Sequence, residues 1–271
     1  ERDHRPSGGG RYDSSVAGAA STSTGLPRIA ITVGDPGGIG PEITSAALSD
    51  PEIWGLGRYR VIGPEAGERF EARATKVGGE LSFRWVEEAI AAAKLPESDP
   101  GHVDAIVTGP ISKEAWSLAG HGEFPGHTEL FGARFGGDAG MMFVSPRLKV
   151  ILATVHVPLR MVPGLLTRER VVRTIELGAA ACARLGVGGP RVAVCGLNPH
   201  AGENGLLGDE DGRIIAPAIR MAAEQGILAT GPWPADTIFN AALAGKHDLV
   251  VAMYHDQGLI PVKLLARDHA V

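Results

Sequence analysis

KVILATVHVPLRMVPGLLTRERVVRTIELGAAACARLGVGGPRVAVCGL, residues 149–197, holds the pattern that decides the fold. It opens on one apolar run, KVILATV (149–155), and closes on another, RVAVCGL (191–197). Both are short, rich in β-branched residues and bounded by Pro or Gly, as strands buried on both faces are. Between them, Thr167 precedes Glu169 and an amphipathic run to Leu185, which predicts an N-capped helix. Strand, helix, strand in this order is a βαβ unit, and such units build parallel sheets.

The same alternation runs outward from this unit, back to Pro27 and on to Val271. Further strands are expected at 28–33, 59–63, 80–85, 105–109, 141–145, 226–230 and 248–254, with helices starting near Ile39, Trp85, Ser112, Thr128, Asp209 and Ala235. The expected class is therefore α/β, with mainly parallel sheets and flanking helices. So many strands overfill one compact sheet, so residues 27–271 are read as two α/β lobes around a cleft. The Pro- and Gly-rich joints at Gly109-Pro110, Pro158–Pro163 and Gly231–Pro234 are the candidate crossovers. Residues 1–26 are polar, small and aperiodic, and read as a flexible tail or appended segment. Val271 follows an apolar run with no terminating signal, so a natural end further on is expected.

Composition narrows the function classes. With 271 residues and 44% hydrophobic content, the chain can bury a substantial core. A net charge of −5 with scattered Lys and Arg offers no field for a phosphate backbone, which argues against nucleic acid. Only Cys182 and Cys195 occur, which fits a reducing compartment, and no apolar run is long enough for a bilayer; the cytoplasm is the expected location.

The chemistry gathers at strand ends. His156, His200 and His255 each sit just beyond an apolar run, in ATVHVPL, CGLNPHAGE and AMYHDQG. In open α/β folds the carboxyl ends of the strands are where ligands bind. Separations of 44 and 55 residues are too long for a zinc-finger loop, so a shared ion would be held by the tertiary fold. Three imidazoles with open positions suit Zn²⁺ or a similar cation acting as a Lewis acid, and Asn198, Glu203, Asp256 and Gln257 lie close enough in sequence to orient them. The remaining histidines, His4, His102, His121, His247 and His269, lack this context and read as surface residues. TVGDPGGIGPE (32–42) is either a tight strand-to-helix turn or an anion site; its glycines do not match the dinucleotide fingerprint. In PGHTELF (125–131), Thr128 is either a helix N-cap or, with His127, part of an anion site. Lys113, Lys263 and Asp236 are further candidates, each near a predicted helix or strand end.

Taken in order, GDPGGIGPE, TGPISK, FPGHTE, LNPHAGE, PADTIF and AMYHDQGLIPVK resemble the 4-hydroxythreonine-4-phosphate dehydrogenase (PdxA) family, from about Pro27 to Val271. The resemblance implies a two-lobed fold of the isocitrate/isopropylmalate dehydrogenase type and a homodimer with active sites near the subunit interface. It assigns metal binding to His156, His200 and His255, substrate binding to His127, Thr128 and Lys263, and an active-site acid to Asp236. It also implies NAD or NADP as cofactor, a divalent metal (Zn²⁺, Mg²⁺ or Co²⁺), and oxidation of 4-phosphohydroxy-L-threonine to a 3-oxo acid that loses CO₂, giving 3-amino-2-oxopropyl phosphate for pyridoxal phosphate synthesis. No residue here is assigned to the nucleotide. Family members continue past the position of Val271 with further phosphate-binding groups and much of the nucleotide pocket, so a chain ending there is expected to be weakly active or inactive, and a chain that continues is expected to be active. Threonate or erythronate 4-phosphate and dihydrodiol carboxylates are the alternative substrates. A metal-dependent phosphate-ester hydrolase and a non-catalytic ligand-binding protein are the alternatives of other classes.

Overall fold

The computed structural model describes residues 25–65, 67–136, 139–266 and 270–271. The N-terminal tail up to residue 24, with His4, and His269 lie outside the described residues. Two compact units succeed one another along the chain, Glu1–Gly137 and Asp138–Val271.

The first unit runs β1 (Arg28–Thr32), α1 (Gly40–Leu48), α2 (Pro51–Trp54), β2 (Arg58–Ile62), α3 (Lys76–Ala93), β3 (Ala105–Thr108), α4 (Lys113–Ala119) and α5 (His127–Phe135). Its three strands form a parallel sheet in the order β2-β1-β3. One core lies between Ala30 and Ile62 of the sheet and Trp85, Ala89 and Ala92 of α3, and a second joins Phe83, Val86 and Ile90 to Trp116 and Leu130.

ELSFRW (80–85), expected as a strand, and Trp85, expected as a helix start, both lie inside α3. Six residues were too short a window. Across the full segment the buried positions Ser82, Phe83, Val86, Ala89 and Ile90 follow the 3.6-residue period, and the Thr75 hydroxyl caps the helix by accepting from Gly78 N at 2.9 Å.

The second unit runs β4 (Met141–Val144), β5 (Lys149–Leu152), a 3₁₀ turn at Leu159–Met161, α6 (Val162–Leu165), α7 (Arg168–Arg184), β6 (Val192–Cys195), a turn at Pro199–Gly205, a π-helical turn at Asp211–Ile215, α8 (Ala216–Glu224), β7 (Ala229–Trp233), α9 (Ala235–Leu243), β8 (Leu249–Ala252) and α10 (His255–Ala266). The sheet order is β4-β5-β8-β6-β7, parallel except for the β4–β5 pair. The expected α/β class is what forms. Thr167 caps α7 as predicted, accepting from Arg170 N at 3.1 Å. The strand expected at 226–230 lies instead at Ala229–Trp233, where the pairing with β6 shifts register between Ala193 and Cys195.

Every residue of β6 and β8 is buried. Val192, Val194, Leu249 and Val251 face Val171 and Ile175 of α7 and Ala218 of α8. Ala193, Cys195, Val250 and Ala252 face Ile238 and Phe239 of α9 and Leu259 and Val262 of α10. That two-sided burial is why these strands read as unbroken apolar runs, and it leaves their carboxyl ends as the places where polar side chains gather.

Candidate functional site

Beyond the last ladder residues of β5 and β8, the two chains stay joined. Ala153 N donates to Ala252 O at 2.8 Å, and Thr154 donates to Met253 O twice, from its amide at 3.2 Å and its hydroxyl at 2.7 Å. The paired exits carry His156 and His255 side by side, with ring centroids 5.4 Å apart. His255 opens α10, and its Nδ1 lies 2.7 Å from Asp256 Oδ1. A carboxylate only accepts, so this contact places a proton on Nδ1, and in the neutral ring Nε2 is then the lone-pair donor.

Gln257 braces the same corner. Buried to 9% exposure, it accepts from Met253 N at 2.7 Å and donates to Gly196 O at 2.8 Å, which ties the exit of β8 to that of β6. Gly196 N in turn donates to Trp233 O at 2.8 Å, adding the exit of β7. The sheet's carboxyl edge is thus held by hydrogen bonds beyond the strands themselves.

After β6 the chain makes an unusual turn. His200, Ala201, Glu203 and Asn204 all have φ between 44° and 56°, and Gly202 has φ 81°. Left-handed backbone costs an L-residue roughly 1–2 kcal/mol, so a run of four non-glycine residues needs support from its surroundings. His200 is 65% exposed on this turn, and its Nδ1 lies 2.7 Å from Glu203 Oε2. The Glu203 carboxylate, by hydrogen bond and charge, raises the His200 pKa above the usual imidazole value, with a smaller push from Asp236. Asp236 is therefore a neighbour of His200, exposed in the first turn of α9. Lys263 lies on α10 eight residues after His255, about 12 Å further along the helix axis, and is exposed.

Of the three strand-end histidines, the structure brings two together. Among the described residues no three His, Cys, Asp or Glu side chains gather closely enough to hold an ion. His200 is engaged with Glu203, while His156 and His255 converge. The donor set nevertheless fits a divalent cation in kind: the rings are exposed or half-buried, and in two of them a carboxylate orients the ring through Nδ1, leaving Nε2 as the lone-pair nitrogen in the neutral form.

In the first unit, His127 is the first residue of α5 and Thr128 the second. The cap position is Gly126, with no side-chain cap, so Thr128 is not the N-cap that its sequence neighbourhood suggested. His127 packs edge-on to Trp116 at 5.8 Å, and its Nε2 is buried with no hydrogen-bond partner. Burial holds its pKa below the usual value and so favours the neutral ring, whose unmet polar atom sits at a helix N-terminus. Ser112 caps α4 by accepting from Ala115 N at 3.1 Å, leaving Lys113 exposed beside it.

The glycine-rich turn is explained by packing. A Cβ at Gly34 would overlap the Pro110 carbonyl, and one at Gly40 the Val33 carbonyl. Asp35 is buried and accepts from Gly37 N at 2.9 Å. Two histidines expected at the surface are more enclosed than that: His102 pairs with Asp104 and lies against Leu95 O, and His121 stacks on Phe83 at 3.6 Å. Sequence reading missed Asp211, a buried carboxylate under the His200 turn, whose one signal was an acid just ahead of the apolar run IIAPAI.

A family model for pyridoxal phosphate biosynthetic protein PdxA matches residues 57–271, most of the chain. The chain belongs to the PdxA family. Its relatives are named as dehydrogenases of phosphorylated hydroxy acids, and this PdxA-family protein is an enzyme of that dehydrogenase class. It is 42% identical to a 4-hydroxythreonine-4-phosphate dehydrogenase of Geobacter metallireducens, over 90% of this chain and 83% of the relative. It is 40% identical to a D-threonate 4-phosphate dehydrogenase of Salmonella typhimurium, over 88% and 84%. Among solved structures it resembles 4-hydroxythreonine-4-phosphate dehydrogenase from Klebsiella pneumoniae, with a TM-score of 0.77, 36% identity and coverage of 88% and 85%.

Proposed function

We infer that this PdxA-family dehydrogenase oxidises a small phosphorylated hydroxy acid with NAD⁺ or NADP⁺, and that 4-phosphohydroxy-L-threonine is its substrate. The alcohol carbon gives up a hydride to the nicotinamide and its hydroxyl gives up a proton, leaving a 3-oxo acid. Cleavage of the bond to the carboxylate releases CO₂ and leaves an enolate, whose carbon takes up a proton to give 3-amino-2-oxopropyl phosphate. The observation that carries this reading is the convergence of His156 and His255 at the joined exits of β5 and β8.

His156, His200 and His255 would hold a divalent cation, Zn²⁺, Mg²⁺ or Co²⁺. When bound, such an ion supplies Lewis-acid chemistry, acidifying the alcohol and favouring negative charge on its oxygen. The chain's own groups do the rest. Asp256 and Glu203 accept from imidazole Nδ1, so that in the neutral rings Nε2 is the nitrogen left to bind the ion. Asp236, exposed beside His200, takes up the hydroxyl proton. Lys263 supplies positive charge for the phosphate or carboxylate, and His127 and Thr128 bind an anionic group at the α5 N-terminus, where the unpartnered His127 Nε2 finds a partner.

A homodimer belongs to this reading. Leu159, Leu206 and Leu264 are 65%, 79% and 80% exposed, and each follows one of the three histidines by at most nine residues. Apolar side chains left open around a site call for a covering surface, and a second copy provides one. A cytoplasmic location is supported by the two free, buried cysteines.

The D-threonate 4-phosphate dehydrogenases, at 38–40% identity, favour a second substrate with the same chemistry. Purified protein is incubated with NAD⁺ or NADP⁺, Zn²⁺ or Mg²⁺, and each candidate in turn, and the absorbance of reduced nicotinamide is followed. Turnover of 4-phosphohydroxy-L-threonine above threonate 4-phosphate is expected. Reversal of that order reassigns the substrate, and phosphate release without cofactor reduction overturns the oxidation.

A further inference from the structure

Asp211 is 2% exposed and belongs to none of the roles assigned above. Its Oδ1 accepts from Leu197 N at 2.8 Å; its Oδ2 accepts from Asn198 N at 3.1 Å and from Asn198 Nδ2 at 2.9 Å. The same Asn198 amide donates to Glu210 Oε2 at 2.8 Å. All of these donors are neutral amides, so the carboxylate's negative charge is met by backbone and side-chain N–H groups that fix one chain path.

That path is the approach to His200. A Cβ at Gly196 would come within 2.6 Å of Asp211 Oδ1, and one at Gly202 within 3.2 Å of Oδ2 and 3.0 Å of Gly208 O. The glycines on either side of His200 are thus the positions at which the loop closes around the carboxylate. Asp211 itself is anchored. It opens the π-helical turn whose Ile214 and Ile215 are buried in the core with α7, and Ala216 N reaches back to its carbonyl. A rigid strut therefore runs from the sheet-covering helices to the left-handed turn that carries His200.

We propose that Asp211 is the positioning residue for His200: its buried carboxylate holds the Leu197–Asn198 corner and so sustains the left-handed His200–Asn204 turn. The consequence for ion binding rests on His200 being a ligand, as proposed above; the hold on the turn does not.

The test uses the full chain with Asp211→Asn, which keeps the shape and replaces one acceptor oxygen with a donor. Hydrogen exchange followed by mass spectrometry reads the turn, and Co²⁺ titration by visible absorption reads the site. Exchange across residues 197–204 is expected to speed at least tenfold while β6 and α8 exchange as in the wild type, and Co²⁺ affinity is expected to fall by about tenfold to a hundredfold, as when an orienting partner of a ligand is lost. Wild-type exchange in 197–204 overturns the proposal, as does wild-type Co²⁺ affinity in a variant whose turn exchanges fast when His200→Ala does lose Co²⁺. Should Asp211→Asn fail to fold, Asn198→Ala removes one of the three donors and is expected to speed exchange in the same segment; unchanged exchange there is equally fatal. His200→Ala run alongside separates the two claims. If it binds Co²⁺ as the wild type does, His200 is not a ligand and the metal assignment falls, while the exchange data still decide what Asp211 does.

Discussion

At the residue scale, the side chains that matter most to the site's shape are those that bond across strand exits. Gln257 satisfies one amide and one carbonyl that have no ladder partner, so Gln257→Leu leaves both buried and unpaired. Each orphaned group costs roughly 1–3 kcal/mol, and a loss of about 3 kcal/mol in urea denaturation is expected, with a fall in dehydrogenase turnover. Arg191 and Asp248 make a different kind of bond at the opposite, amino end of the sheet. Asp248 accepts from Arg191 Nε at 2.9 Å, Nη2 at 2.8 Å and the backbone N at 2.8 Å, and these bonds pull its pKa down to about 2. A lowered carboxylate pKa stabilises the fold above the unfolded-state value near 3.8, and that contribution drains away as pH falls through about 2. With Arg191 half exposed, solvent screening reduces the contribution to roughly 1 kcal/mol. Thermal melts from pH 5 to pH 2 should show Asp248→Asn losing its deficit relative to wild type across that window. A constant offset at every pH would refute the assignment.

At the scale of elements, α3 is where reading the chain and seeing it folded part company. A six-residue window around Phe83 alternates like a strand, and only the longer stretch from Thr75 to Ala93 reveals the helical face. What fixes that helix is tertiary: a Cβ on Gly79 would overlap the carbonyl of Ala115, so α3 and α4 meet backbone to backbone. Gly79→Val should destabilise the protein by roughly 3 kcal/mol or more, whereas Gly132→Ala, where a Cβ meets nothing within 4 Å, should cost nothing in the same denaturation experiment. Equal effects would mean that the α3–α4 approach is not tight. The turn at His200 was illegible for a related reason. LNPHAGE announces a loop and a histidine, but a left-handed run of four non-glycine residues is sustained by Asp211, a residue eleven positions on whose partner cannot be read from local pattern. Gln257, by contrast, was picked out from its place beside His255; that it reaches Gly196 was not legible.

At the scale of the whole chain, the apolar runs of β5, β6 and β8 were legible because parallel strands buried on both faces carry no polar interruption until they end. The same property marks the ends, and the three histidines stand there. Pattern could locate each of them at the edge of a sheet; it could not say which edges adjoin. The sheet order β5-β8-β6 supplies that, since β8 lies between the other two and its exit is bonded to both, through Thr154 on one side and Gln257 on the other. Membership of the PdxA family makes the chain a dehydrogenase; that this edge is its site, with an ion shared by His156, His200 and His255, is the central proposal. Elemental analysis of purified protein after loading with Zn²⁺ and desalting tests it directly. The wild type should retain a stoichiometric ion, and His156→Ala, His200→Ala and His255→Ala should each lose it while remaining folded; stoichiometric metal in all three variants would contradict the account.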